Sequence, residues 1–381
     1  MKKLLTFGFL CLSTLLLQAQ SGLKKHMAER AEKKQAAIDA GAPFLSTMVG
    51  PGYTPDNGFL IGGGFLYTFK TNRSDSLIQR SSFPITAFIS TKGNIGLNNK
   101  ITSFWNEDRI RFNMTNKLFR AQDNYFGVGY ASSEQIDIGE KTSEYKKTGF
   151  VINPEFQYRI VKNLYAGAIV DINKVKVREA NEIMTNDPSF IKYGPSNFNL
   201  GVGFSINFDS RDLTVNAYSG HYGRFAYTNY SKGIGSDNNY AVYETDLRTY
   251  HQIGRDGKTF AVRLFGRFAV GNVPYAELST LGGNDALRGY LTGKYIDKTT
   301  VFIIPEYRYM FLKNDGAMSK HGLVTWAGLG TIAPSVSDIK KFVPNIGLGY
   351  RFEVQPRMNV RIDYGIGKES SGLYFNFTES F

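Results

Sequence analysis

The sequence holds a single cysteine, Cys11, and it sits inside the apolar run that opens the chain. That opening reads Met1-Lys2-Lys3, continues from Leu4 to Leu17 almost without a polar side chain, and then reads Gln18-Ala19-Gln20. A positive start, an apolar stretch and a small residue make a secretory signal peptide over 1–19, cut after Ala19. Leu10 before Cys11 is larger than a lipoprotein signal accepts, so lipidation is not expected. Beyond residue 19 no thiol is left, which excludes disulfides and thiolate metal sites although export would permit disulfides.

Long apolar runs are also missing after the signal. No stretch of 18 apolar residues follows, so no transmembrane helix is expected. Mean hydropathy is below zero. A membrane barrel gives the same average, because its strands alternate lipid-facing apolar with lumen-facing polar side chains.

Histidine is scarce, with only His26, His221, His251 and His321. His26 precedes the strands and the others fall near three different strand ends. None stands in a Gly-x-Ser-x-Gly context or an H-E-x-x-H spacing. The chain is therefore not expected to be an enzyme, and no metal or cofactor is implied. The cluster Asp209-Ser210-Arg211-Asp212 reads as a self-paired turn rather than a calcium or catalytic site.

Aromatics, by contrast, are plentiful. The 29 Phe, 23 Tyr and 2 Trp suit the girdles that membrane barrels carry at both interfaces. The formal net charge of +12 includes Lys2 and Lys3, which leave with the signal. Such a balance is compatible with nucleic acid, but export argues against that partner. A basic lumen, or contact with anionic headgroups of outer-membrane lipids, fits better.

Residues 20–42 form a separate segment. Leu23, Met27, Ala31 and Ile38 fall near helical spacing among Lys24, Lys25, Glu29, Arg30, Glu32, Lys33 and Lys34, which predicts one short charged helix on the periplasmic side. Two readings stay open for it: a solvated linker, or a plug or docking segment.

From Pro43 onward the period is two. Met358, Val360, Ile362, Tyr364 and Ile366 alternate with Asn359, Arg361, Asp363 and Gly365, one face suited to lipid and the other to water. Leu200, Val202, Phe204, Ile206 and Phe208 oppose Gly201, Gly203, Ser205, Asn207 and Asp209 in the same way. About sixteen such segments, from 43–53 to 371–381, predict an all-β transmembrane antiparallel barrel over 43–381. Joins after odd-numbered segments are long, as at 120–144, 179–196 and 272–296, and most joins after even-numbered ones are tight. Outer-membrane barrels keep periplasmic turns short, so the N-terminus is expected in the periplasm of a Gram-negative cell.

The join at 272–296 carries the most information. It contains Leu281-Gly282-Gly283-Asn284-Asp285-Ala286 followed by Leu287-Arg288-Gly289-Tyr290, and it precedes Pro305-Glu306-Tyr307-Arg308-Tyr309. In that context it resembles the sixth extracellular loop of the BamA/TamA superfamily of outer-membrane barrels (the bacterial surface antigen type). Phe208-Asp209-Ser210-Arg211-Asp212 with Gly220 looks like that family's eighth strand and turn. Asn359 to Gly365 with Gly372-Leu373-Tyr374-Phe375 looks like its closing hairpin. The likeness runs from residue 200 to the end. It is to a bare barrel, since the POTRA domains of the family's insertases have no counterpart in these residues.

The resemblance implies that the loop folds into the barrel and that its Leu-Arg-Gly-Tyr tip meets inward carboxylates. A buried guanidinium is costly unless paired, and its planar fork suits carboxylates. Pleat phase puts Val301, Ile303, Tyr307 and Tyr309 outward, so Glu306 faces the lumen and is the first expected partner of Arg288. Trp326, in Val324-Thr325-Trp326-Ala327-Gly328, stands where the family has a second carboxylate. It either lies over the guanidinium as a cation–π partner or simply packs the lumen.

Gly50, Pro51 and Gly52 lie in the first strand, which should meet Phe375, Phe377 and Phe381 of the last. Proline cannot donate to a ladder and glycine weakens one, so this seam should be short of hydrogen bonds. Such a break is either a lateral opening, as the resemblance implies, or a bend near a rim. The expected function is assistance to insertion or translocation of outer-membrane proteins or lipids through that seam, with client or partner outer-membrane proteins. The alternatives are an accessory structural barrel and a passive pore, which inward Arg109, Arg111, Arg263, Arg267 and Arg361 would bias toward anions.

Overall fold

A computed structural model describes residues 32–33, 36–38, 40–75, 78–139 and 142–381. The expected signal peptide over 1–19 and most of the expected helix over 20–42 lie outside the described residues. Within them 32–33 and 36–38 are helical, and the amide of Ala42 donates to the carbonyl of Ala37 at 2.8 Å.

The chain then builds strands. β1 (Phe44–Thr54), β2 (Gly58–Phe69), β3 (Ser81–Ser90), β4 (Ile95–Trp105), β5 (Ile110–Asn124) and β6 (Glu144–Val161) come first. Next are β7 (Leu164–Glu179), β8 (Ser196–Asp209), β9 (Gly220–Tyr230), β10 (Tyr240–Gln252) and β11 (Lys258–Gly271). Two short strands, β12 (Ser279–Leu281) and β13 (Tyr295–Asp297), precede β14 (Thr299–Leu312), β15 (Met318–Ala333), β16 (Val343–Gln355), β17 (Met358–Ile366) and β18 (Ser371–Phe377). All but β12 and β13 close into one antiparallel barrel of sixteen strands in sequence order, with β18 returning to β1. The fold class read from period-two alternation is thus the observed one.

Burial follows the pattern of a membrane barrel. On β17 the polar Asn359, Arg361 and Asp363 are buried in the lumen, while Ile362, Tyr364 and Ile366 are exposed on the outer face. A water-soluble sheet would place them the other way round. Among the described residues no helix is long and apolar enough to cross a membrane, which says nothing against crossing by strands.

The start of β1 and the end of β18 lie at one end of the barrel, where the joins 106–109, 162–163 and 356–357 are tight. Asn163 and Arg357 adopt left-handed backbone there, with φ of 66° and 64°, and the strand register shifts beside both turns, as in bulged hairpin connections. The other end carries 125–143, 180–195, 231–239 and 272–298. Two structured features in these joins went unread in the sequence. Short helices occupy Gly129–Gln135, Glu182–Asn186 and Pro188–Tyr193, and β12 pairs with β13 inside the join 272–298. Elements this short have too few residues to show a period.

Candidate functional site

The segment 272–298 does not stand above the barrel; its central part lies in the lumen. Leu287, Arg288 and Tyr290 are buried, with Arg288 only 1% exposed. Its guanidinium is held on three sides. Nη2 donates to Glu306 Oε2 on β14 at 2.7 Å, and Nη1 donates to Asp363 Oδ2 on β17 at 2.5 Å. The plane covers Trp326 of β15, with the guanidinium carbon 3.4 Å from the ring centre. Geometry therefore brings Arg288, Glu306 and Trp326 together.

Asp363 is the partner that sequence reasoning did not assign. Its signal was present, because the alternation of 358–366 already puts it on the lumen face. What the strand pattern lacks is depth: it does not say which inward carboxylate is level with a loop arriving from above. Around this pair the charges continue. Arg351 Nη1 and Arg361 Nη1 also donate to Asp363, at 2.6 and 3.1 Å, and Arg308 Nε donates to Glu306 at 2.8 Å. Every one of these six groups is at most 4% exposed, so each charge depends on its neighbours rather than on water.

Close backbone approach explains the two glycines at the contact. Gly289 has φ +112°, where a side chain would be strained, and an added Cβ would lie 2.8 Å from the Gly367 nitrogen. A Cβ on Gly365 would lie 2.6 Å from the Arg288 carbonyl oxygen. The tip is then fastened by hydrogen bonds. The Gly289 amide donates to the Tyr374 hydroxyl on β18 at 2.9 Å, and Asn345 Nδ2 on β16 donates to the Arg288 carbonyl at 2.7 Å. The Tyr290 hydroxyl donates to the Pro344 carbonyl at 2.7 Å. Farther along, the Thr292 amide donates to Asp56 Oδ1 at 2.8 Å, in the turn between β1 and β2. The segment therefore touches both sides of the closure.

That closure is thin. All eleven residues of β1 pair with β2, but β1 and β18 match at Tyr53 and Phe375 alone. Continuing that register would set Pro51, which has no amide proton, opposite Phe377. Phe377 instead lays its ring against Gly50, where an added Cβ would be 2.9 Å from it. The sequence places Phe381 in this seam on the outer face, and here the structure differs. β18 stops at Phe377, Thr378 turns with φ 64°, and Phe381 is buried inside the barrel. Its ring faces Tyr250 and its carbonyl accepts from Arg308 Nη2 at 3.0 Å. Glu379 goes in with it, accepting from Arg351 Nε at 2.8 Å and Asn359 Nδ2 at 2.7 Å. The cause is electrostatic: extended alternation would have aimed Glu379 at lipid, whereas the lumen offers it a guanidinium.

The lumen arginines expected to favour anions are largely paired. Arg111 meets Asp108 at 2.6 Å, Arg263 meets Asp246 at 2.9 Å, and Arg267 meets Glu277 at 3.4 Å. In the turn Tyr275–Glu277, burial pushes the Glu277 carboxyl up to about 7 against the pull of Arg267. Below the loop tip lies a partly open space of about 790 Å³, with Thr378 to Phe381 in its wall. The turn after β8 pairs within itself, as Asp209 accepts from Arg211 at 2.8 Å, and Asp212 reaches Arg357 at 2.5 Å. His221 and His251, read as lying apart, share Thr249 Oγ1 at 3.0 Å each, because β9 and β10 pair there. Among the described residues no three His, Cys, Asp or Glu side chains are grouped to hold a metal.

Residues 88–381 match the Omp85 superfamily domain. The chain belongs to the Omp85 superfamily. It is an outer-membrane β-barrel of that group, consistent with the family resemblance read from the loop and closing hairpin. In structure it is similar to BamA from Haemophilus ducreyi lacking POTRA domains 1–3, with a TM-score of 0.61 at 13% identity, over 88% of this chain and 70% of that one. It is also similar to CdiB from Acinetobacter baumannii, with a TM-score of 0.54 at 11% identity over 88% of this chain. CdiB from Escherichia coli gives 0.54 at 7% identity. The Omp85 chain described here spans 59% and 62% of the two CdiB chains. At these identities the likeness is one of fold. No curated protein matches it in sequence.

Proposed function

We propose that this Omp85 barrel assists insertion or translocation of outer-membrane polypeptides through the junction of β1 and β18, with its N-terminus in the periplasm. The observation that carries the reading is the single matched pair at that junction, Tyr53 with Phe375, beside a proline that cannot extend the ladder. An edge so poorly paired leaves β1 amides and carbonyls available to a strand from another chain, the mode of recognition by strand addition. The Arg288 tip acts as its fastener, since the same segment reaches Tyr374 on one side of the junction and Asp56 on the other. Membership of the Omp85 superfamily supports a reading of this kind.

A passive pore fits less well. The loop tip and its charge network occupy the mid-lumen, and the inward arginines are matched by carboxylates. Such a barrel should conduct little.

The test is a reversible staple. Cys11 is the single cysteine of the sequence and is expected to leave with the signal peptide, so Tyr53→Cys with Phe375→Cys forms a unique disulfide across the junction. Purified protein in vesicles should accelerate folding of an unfolded client barrel; the oxidised double variant should lose that acceleration and regain it on reduction. Equal client folding in the oxidised and reduced states would remove the seam from the mechanism.

A further inference from the structure

The outer wall carries a second site that has nothing to do with the seam. Strand register defines it. At the loop end, Arg120 of β5 lies opposite Thr148 of β6, and Thr148 lies opposite Lys176 of β7. One row deeper, Leu97 of β4 is opposite Leu118, Leu118 is opposite Phe150, and Phe150 is opposite Lys174. All of these side chains share the outer face, as do Lys174, Lys176 and Arg178, spaced two apart along β7.

Together they enclose an open depression of about 560 Å³ whose floor includes Ala87, Leu97, Leu118 and Phe150. Leu97 and Leu118 are 45% and 59% exposed there. Arg120, Lys174, Lys176 and Arg178 form the rim. Arg178 Nε donates to Thr148 Oγ1 at 3.2 Å, and neighbouring Lys146 is taken by Glu179 at 2.8 Å. Among the described residues none of the four rim cations has a carboxylate in ion-pair distance, in contrast to the arginines of the lumen. Unmatched cations on a wall that faces lipid call for anions from the membrane itself.

The dimensions narrow the ligand. From β5 to β7 is two strand spacings, about 10 Å, and from Lys174 to Arg178 is about 13 Å along the strand. A single phosphate is too small to engage that spread of charge. The apolar floor directly beneath calls for hydrocarbon joined to the anionic head. We propose that this patch binds an acylated lipid whose headgroup carries more than one phosphate, with acyl chains over Leu97, Leu118 and Phe150 and phosphates among Arg120, Lys174, Lys176 and Arg178. This site does not depend on the seam reading and stands if the barrel moves no client at all.

Native mass spectrometry of the detergent-purified barrel tests it, using a diphosphorylated acylated glycolipid, its monophosphorylated counterpart and a zwitterionic phospholipid. The wild type should retain the diphosphorylated lipid preferentially. Lys174→Gln with Lys176→Gln and Arg178→Gln should weaken retention on the order of a hundredfold, from three surface cations each worth about tenfold or less. Arg120→Gln alone should weaken it severalfold, and circular dichroism should show both variants with unchanged strand content. Equal retention of diphosphorylated and zwitterionic lipid, or unchanged retention by both variants, would overturn the assignment. So would displacement of the lipid by inorganic diphosphate at equal concentration, since that would assign the patch to a free anion.

Discussion

Arg288 lies flat on Trp326, the guanidinium carbon 3.4 Å from the centre of the indole, while the edges of the same guanidinium reach Glu306 and Asp363. The ring thus covers a face of the cation that no carboxylate can reach. A desolvated cation–π contact of this kind is worth about 2 kcal/mol. Trp326→Leu should therefore lower the stability of the folded barrel by roughly that amount, measured by urea unfolding in vesicles. Gly347→Ala should reproduce the loss without touching either partner, because a Cβ at 347 would overlap the Trp326 ring from the next strand. Wild-type stability in both variants would mean that Trp326 merely fills space.

Asp363 should matter more than Glu306. Three guanidinium groups converge on Asp363, from Arg288, Arg351 and Arg361, and two on Glu306, from Arg288 and Arg308. Breaking a buried ion pair from one side costs about 3–5 kcal/mol, mostly through the charge left behind. Asp363→Asn strands more positive charge than Glu306→Gln, so it should destabilise further and should raise conductance in planar bilayers as the tip loosens. Arg288→Ala combined with Asp363→Asn should cost less than the sum of the two, since they share one contact. Additive losses, or the reverse order of the two carboxylates, would contradict the geometry.

The barrel was legible because its signal is repeated. Sixteen strands each alternate over seven or more residues, and a one-residue slip anywhere would turn apolar side chains inward, so the register announces itself. Arg288 and Glu306 were legible for a related reason: a motif fixed the first and pleat phase the second. The last four residues were not. Leu373, Phe375 and Phe377 set up an outward face that Phe381 continues in sequence, and local alternation has no term for what lies across the lumen. The structure shows that Arg351 and Arg308, 28 and 73 positions away, draw Glu379 and Phe381 inward. Asp56 escaped for the same cause, since its partner Thr292 is 236 residues distant and appears only when the loop is folded.

Glu277 gives the loop a dependence on pH. Burial holds its carboxyl at about 7, above the ordinary value of 4.5, in spite of Arg267 at 3.4 Å. Because the folded value is the raised one, the stabilisation is complete below about pH 4.5 and is lost as pH rises through about 7. The amount at stake is about 3 kcal/mol, placed in the segment that carries Arg288 rather than spread over the barrel. Limited proteolysis of the reconstituted protein should cut within 272–298 more slowly at pH 5.5 than at pH 8. Glu277→Gln removes the titration without changing shape, so its cleavage should be slow at both values. Faster cleavage at the lower pH, or an unchanged profile in the variant, would show that the buried carboxyl does not govern how firmly the loop is held.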